Sequence, residues 1–301
     1  MITKPKLKIR YPELENFKAI VLHPNFNESD FPQLNEVLQR LFQNLKEEDI
    51  PDLRQQIHTI LGKENIEESA QGFAIRKPHG YAGDFECIDM VYREQTHHKP
   101  EIAIWDKYYH NCPAARAVKN RKAFFKYIIN KNQKEGKLDV LNIASGPCRD
   151  VLEYFEETSD RNLFLDCLDM DGNAIDFAKN LTKAYSDNIN FIHKNIFRFH
   201  PNKQYDIVWS AGLFDYFSDA MFIRLLKRMS IWLKDGGKIV VGNFSDTHPT
   251  QGYMEVVLDW KLNLRSEAKL REIALAAGFK NAKISVEKEA QKVNLFLIAE
   301  K

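Results

Sequence analysis

The residues of this chain best placed to do chemistry are Leu141-Asn-Ile-Ala-Ser-Gly-Pro-Cys-Arg-Asp150 and the acidic pair Asp169 and Asp171 that follows. The apolar run from Val140 to Ile143 ends in three small residues, Ala144, Ser145 and Gly146. Val151, Leu152 and Phe155 come next at helical spacing, so a strand is expected to feed a helix through a tight turn. Small residues in such a turn let backbone N–H groups and the positive end of the helix approach a polar ligand. Residues 162–168 read as a second strand whose end delivers Asp169. A carboxylate roughly 20 residues beyond the turn sits beside it in a doubly wound sheet and can accept hydrogen bonds from both hydroxyls of a ribose. Asp171 is the reserve ribose ligand, and Asp171 or Asn173 could cap the next helix.

A dinucleotide would need three glycines to bring a pyrophosphate onto the helix, and only Gly146 is present. One glycine in a small-residue turn suits a ligand without phosphate. The stretch resembles the first motif of class I S-adenosylmethionine (SAM)-dependent methyltransferases, with Ala144 and Cys148 as departures where those proteins usually carry more glycine. The resemblance implies SAM as cofactor. It implies that Ala144, Ser145 and Gly146 contact the methionyl portion, that Asp169 takes the ribose hydroxyls, and that Asn195 meets the adenine amino group. Arg149, at the start of the helix, is a candidate for the methionyl carboxylate.

The remaining elements fit one sheet edge. Strands are expected at 189–193, 205–210 and 238–242, and their ends place Asn195, Ser210 and the following loops where ligands bind in a parallel sheet. Ser210 is a further cofactor candidate. A helix over 220–233 carries Met221, Leu225, Leu226, Met229 and Leu233 on one stripe and closes at Lys234-Asp-Gly-Gly237, and Ser266 caps a helix that runs to Ala277. Strands near 282–287 and 293–299 form a terminal hairpin. The expected fold class is therefore α/β: a Rossmann-like, mostly parallel class I methyltransferase sheet with a C-terminal antiparallel hairpin, preceded by an N-terminal helical region.

Arg76-Lys-Pro-His-Gly-Tyr-Ala-Gly-Asp84, Ser210-Ala-Gly-Leu-Phe-Asp-Tyr216, Gly242-Asn-Phe244 and the spaced Met254-Glu255, Asp259-Trp260 and Arg265 are not demanded by that fold. Together they resemble the bacterial family of 3-hydroxypalmitic acid methyl ester biosynthesis proteins, over roughly residues 75 to 300. The implied activity is methylation of a small molecule, most plausibly on the oxygen of a carboxylate such as that of a 3-hydroxy fatty acid. N-methylation of an amine, amino acid or heterocyclic intermediate is the alternative, and a non-catalytic SAM-binding regulator is a third reading.

A carboxylate nucleophile is already ionised and needs donors to hold it, whereas a hydroxyl or ring nitrogen needs a positioned base. Arg265, Arg116, Tyr216 and His248 are the candidate donors; Asp215, Glu255 and His248 are the candidate bases. Asp215 and Tyr216, in the loop after the fourth strand, are the first choice for acceptor contact. Glu255 and Arg265 could instead pair with each other.

The first 135 residues have a helical texture. Leu34, Val37, Leu38, Leu41, Phe42 and Leu45 recur at helical spacing, Leu53, Ile57, Ile60 and Leu61 continue the habit, and a third helix is expected from about Ala114 to Asn130. The expected division is 1–135, a helical substrate lid, and 136–301, the SAM-binding domain; the helices could alternatively serve packing or a homodimer. Within the first part, Gly80 and Gly83 flank Tyr81, which is expected to close over SAM, and Asp84 can cap the following helix. With 43 basic and 42 acidic residues the chain has no global field to attract nucleic acid. No apolar run reaches the length of a membrane span, and Met1 to Arg10 is basic with no apolar core behind it. A cytoplasmic protein acting on a small-molecule acceptor is expected. Cys87, Cys112, Cys148 and Cys167 lack C-x-x-C spacing, so neither a metal site nor a disulfide framework is anticipated.

Overall fold

The computed structural model describes residues 11–158 and 162–301, so the basic stretch Met1 to Arg10 lies outside the described residues. The chain divides into two compact units. One comprises residues up to Ala82 with Gln95–Cys112 and Pro249–Lys261; the other comprises Gly83–Glu94, Pro113–His248 and Leu262–Lys301.

The helical unit contains α1 (Pro12–Val21), α2 (Phe31–Gln43), α3 (Ile50–Leu61), α4 (Lys63–Glu68) and α5 (Ala70–Arg76). Leu34, Val37, Leu38 and Leu41 of α2 and Leu53, Ile57 and Leu61 of α3 are buried, as their spacing requires.

The sheet unit opens with α6 (Phe85–Arg93), whose first turn is capped by Asp84: one carboxylate oxygen accepts the N–H groups of Glu86 and Cys87. After α7 (Pro100–Asn111) in the helical unit, the chain returns through α8 (Pro113–Lys131). Then follow β1 (Leu138–Ile143), α9 (Arg149–Glu157), β2 (Leu163–Asp169), α10 (Gly172–Leu181), β3 (Ile189–His193) and β4 (Tyr205–Ser210). The order continues with α11 (Asp219–Ile231), β5 (Leu233–Phe244), α12 (Glu267–Ala276), β6 (Ile284–Lys288) and β7 (Asn294–Glu300). Their order in the sheet is β3-β2-β1-β4-β5-β7-β6, parallel through β5, with β7 antiparallel to both neighbours. Alternate residues feed two cores: Leu141, Ile143, Val208, Val241 and Leu297 pack with α11 and α12, while Val140, Ile207, Trp209, Val240 and Phe296 pack with α8 and α9.

Three sequence expectations are revised. Helix α8 belongs with the sheet and not with the helices before residue 135, because Phe124, Phe125, Ile128 and Ile129 bury against it; the Phe124 and Phe296 rings stack with centroids 3.8 Å apart. Strand β5 begins at Leu233, five residues before the expected start at Lys238, across an irregularity in its pairing with β4. Finally, residues 249–261 fold with the helices.

That last segment is held by specific bonds within the helical unit. Gly252 N–H donates to Gln39 Oε1 (3.0 Å), and Tyr253 OH donates to Gln71 Oε1 (2.7 Å). A π-helical turn, Tyr253–Val257, leaves carbonyls that Arg54 and His58 satisfy: Arg54 donates to Glu255 and Val256, and His58 Nε2 lies 2.8 Å from the Val257 oxygen. Arg54 and Lys77 both pair with the Asp259 carboxylate, at 2.8 and 2.7 Å. The Arg76-Lys-Pro and Asp259-Trp blocks of the sequence are thus two sides of one ion cluster. No helix among the described residues is long and apolar enough to cross a membrane.

Candidate active site

At the end of β1 the chain makes the expected turn, and its conformation explains the small residues. Ala144, Gly146 and Cys148 all have left-handed backbone, with φ of 52°, 53° and 53°. This conformation costs a non-glycine residue roughly 1–2 kcal/mol, so Ala144 and Cys148 must be held by their surroundings. The bonds that hold them are present. Ser145 N–H donates to the Leu168 carbonyl (3.2 Å), Gly146 N–H to Asp169 Oδ2 (2.9 Å), and Cys148 N–H to the Ser145 carbonyl (3.3 Å). The Cys148 side chain, fully buried, packs in the core that α9 covers.

Asp169 therefore joins two elements. Its Oδ2 accepts from Gly146 and its Oδ1 from the Asp171 N–H (3.0 Å), while Asp171 itself caps α10 by accepting from Asn173. Burial pushes the Asp169 carboxyl above its ordinary range, opposed by those backbone donors. Next to this turn, the Ser145 hydroxyl and the Asn142 amide nitrogen are buried with no hydrogen-bond partner, and open space lies where a side chain on Gly146 would project. Buried polar atoms ordinarily find partners. An orphaned hydroxyl, an open glycine and an acidic strand end suit a cofactor with a polar amino-acid end and a ribose. Asn195, at the end of β3, uses Oδ1 to accept from Phe197 (2.9 Å).

Residues 140–237 match the family model for a methyltransferase domain. The sheet has the Rossmann-like fold of a class I methyltransferase. Solved structures share the fold: a candidate exported protein of Bordetella parapertussis (19% identity, 91% of this chain and 96% of that chain, TM-score 0.66); an O-methyltransferase of Nostoc punctiforme (17%, 79% and 72%, 0.53); and the magnesium protoporphyrin IX methyltransferase of Synechocystis with bound S-adenosylhomocysteine (11%, 71% and 93%, 0.53). No curated protein sequence matches the chain.

The other residues singled out from the sequence are engaged as follows. Arg149 forms a two-pronged ion pair with Asp89 of α6, Nε to Oδ1 at 2.5 Å and Nη2 to Oδ2 at 3.1 Å. Ser210 is buried and donates to the Ile143 carbonyl (3.0 Å), which ties β4 to β1. Tyr81, in the helical unit, is exposed, as is Tyr216 in the sheet unit. Glu255, also in the helical unit, accepts from Gln251 Nε2 (2.8 Å).

Around the ends of β4 and β5 lies a buried polar group. Asp215 accepts the Phe244 N–H on Oδ1 (2.6 Å), and its carbonyl receives both the backbone and side-chain N–H of Asn263. Burial pushes its carboxyl up to about 6, with Arg121, the Phe244 N–H and Arg265 pulling the other way. Arg265 is spent on the protein: Nε on Asp219, Nη1 on Asn243 Oδ1 and the Phe214 and Asn263 carbonyls, and Nη2 on the Phe217 carbonyl. It fastens the loop after β4 to the end of β5. His248 is buried against the Phe244 ring, its Nδ1 has no partner, and burial lowers its pKa to about 4.

Sequence reasoning passed over Arg121 of α8. This residue is 7% exposed, donates from Nε to Asn294 Oδ1 (2.9 Å), sits 5.2 Å over the Phe244 ring, and places Nη2 4.0 Å from Asp215 Oδ2. Its signal was a cation on the apolar stripe formed by Ala117, Val118, Phe124 and Phe125.

Proposed function

We propose that this protein transfers a methyl group from SAM to an oxygen of a small-molecule carboxylate, a 3-hydroxy fatty acid being the leading case. In this reading Ser145, Gly146, Asp169 and Asn195 hold the cofactor. When bound, SAM supplies a methyl carried on a sulfonium, whose positive charge vanishes on transfer. The task left to the chain is to align a nucleophile, keep water out and provide protonation states that suit it.

One observation supports an acid as acceptor: among the described residues, no carboxylate or imidazole at the ends of β4 and β5 stands free to act as a strong base. Asp215 spends one oxygen on the Phe244 N–H and faces Arg121 with the other. His248, lowered to about 4, is a neutral and weak base at physiological pH. An alcohol or an ammonium would have to displace the partners of Asp215 to use it as a base, whereas a carboxylate is already ionised and only has to be held. Neutral His248 can still donate or accept a hydrogen bond at the acceptor.

The test is turnover. Purified protein is incubated with SAM and a panel of 3-hydroxy fatty acids, amino acids and aromatic heterocycles, with S-adenosylhomocysteine release and product mass followed together. A methyl ester, heavier than its acid by one CH₂, is the expected product. Methylation confined to nitrogen acceptors would overturn the carboxylate reading, and SAM binding without turnover on any acceptor would favour a regulator.

A further inference from the structure

Arg121 occupies an unusual position for a cation. Its Nε is committed to Asn294, but among the described residues neither terminal nitrogen has a hydrogen-bond acceptor, Asp215 being 4.0 Å away. A guanidinium presents five donors in a planar fork suited to carboxylates, and in this mostly buried residue, 7% exposed, the terminal nitrogens are not sealed from solvent. The neighbouring loop residue is Gly212, where a Cβ would come within 2.9 Å of Nη1. The glycine of the Ser210-Ala-Gly-Leu-Phe-Asp block therefore keeps the space beside that nitrogen clear. A second buried polar group, His248, meets the same Phe244 ring that Arg121 covers, with ring centroids 5.6 Å apart. Both lie at the ends of β4 and β5, the sheet edge where the turn after β1 also opens.

We infer that Arg121 anchors the acceptor: its terminal nitrogens take a carboxylate of the small molecule, and Asp215 gives up its place as counter-ion by taking a proton from solvent when that carboxylate arrives. The inference rests on the methyltransferase reading and gives its acceptor a chemical class. Charge balance requires the proton. Arg121 beside ionised Asp215 is already neutral as a pair, and a second carboxylate would leave excess negative charge in a buried site. The groups that face Asp215 are Arg121 from α8, the Phe244 N–H from β5 and Arg265 ahead of α12. Burial outweighs all three and brings Asp215 within reach of protonation near neutrality.

The experiment uses the full chain saturated with S-adenosylhomocysteine and matched acid and amide pairs, 3-hydroxydecanoate with its primary amide and anthranilate with anthranilamide, titrated by calorimetry. The wild type is expected to bind at least one acid about tenfold or more tightly than its amide, with affinity for the acid rising as the pH falls from about 8 to about 6. Arg121→Met should erase the preference while S-adenosylhomocysteine affinity stays within about twofold. Gly212→Ala keeps the arginine but crowds Nη1, and should weaken acid binding without loss of folding. Asp215→Asn should tighten acid binding and flatten its pH dependence.

The inference is overturned if no acid is preferred to its amide by the wild type, or if folded Arg121→Met or Gly212→Ala protein keeps the preference intact. Turnover judges the carboxylate-methylation reading separately. An acid whose binding needs Arg121 but which is methylated on nitrogen or a hydroxyl upholds the anchor and removes ester formation.

Discussion

Gly146 donates its backbone N–H to Asp169 across 2.9 Å, so the turn after β1 and the end of β2 are one hydrogen-bonded unit. Removing the carboxylate should therefore affect ligand binding and loop geometry together. Asp169→Ala is expected to weaken SAM binding by about tenfold or more and to release the Gly146 amide, whose hydrogen exchange should accelerate. Unchanged SAM affinity in a folded variant would exclude Asp169 from the cofactor site.

Ala144 holds a left-handed conformation that glycine adopts without strain. Ala144→Gly should be neutral or stabilising by up to about 1 kcal/mol, because relief of strain competes with added freedom in the unfolded chain. Ala144→Val should cost about 2 kcal/mol or more, since a β-branched residue tolerates positive φ poorly. Denaturant midpoints are the check: that of the valine variant should fall, and that of the glycine variant should hold or rise.

Arg265 is a structural fastener. It is 3% exposed, and each of its side-chain nitrogens has an acceptor in the protein. Arg265→Met leaves several buried acceptors without their donor and should destabilise the fold by about 3 kcal/mol or more. A variant of normal stability with a raised KM for the acceptor alone would show that the guanidinium contacts substrate instead.

Asp215 makes stability depend on pH in a defined direction. Its carboxyl lies at about 6 in the folded chain against an ordinary 3.8, so the folded state holds the proton more tightly than the unfolded one. The contribution is fully present below the unfolded value and is lost as the pH rises through about 6, a difference of about 3 kcal/mol at most. Asp215→Asn should accordingly be stabilised relative to wild type above pH 6 and lose that advantage toward pH 4. Urea unfolding of both proteins across this range reads the effect directly, and parallel curves would refute it.

Much of the sheet was legible because its strands are short apolar runs that end in glycine, small or acidic residues, and because helix stripes recur at fixed spacing. The turn at Ala144–Cys148 was legible for the same reason: each residue there is local to its own strand and helix. What escaped depends on partners far away in the chain. Arg54 and Lys77 meet at Asp259, and no local pattern in residues 249–261 announces that they fold with α2 and α3. Arg265 looked available because its acceptors are mostly backbone carbonyls, which leave no trace in side-chain types. Arg121 was visible as a charge on an apolar stripe, but its meaning required Asn294, 173 positions away.

The helical unit is built from three stretches of chain, the last of them Pro249–Lys261 between β5 and α12. A ribosome must therefore have released Lys261 before that unit can be complete, although its first helices are made long before. Likewise β7, made after every other strand of the sheet, inserts between β5 and β6. Neither unit can be lifted out by a single cut in the gene, so any exchange of one of them between relatives has to carry several crossovers at once.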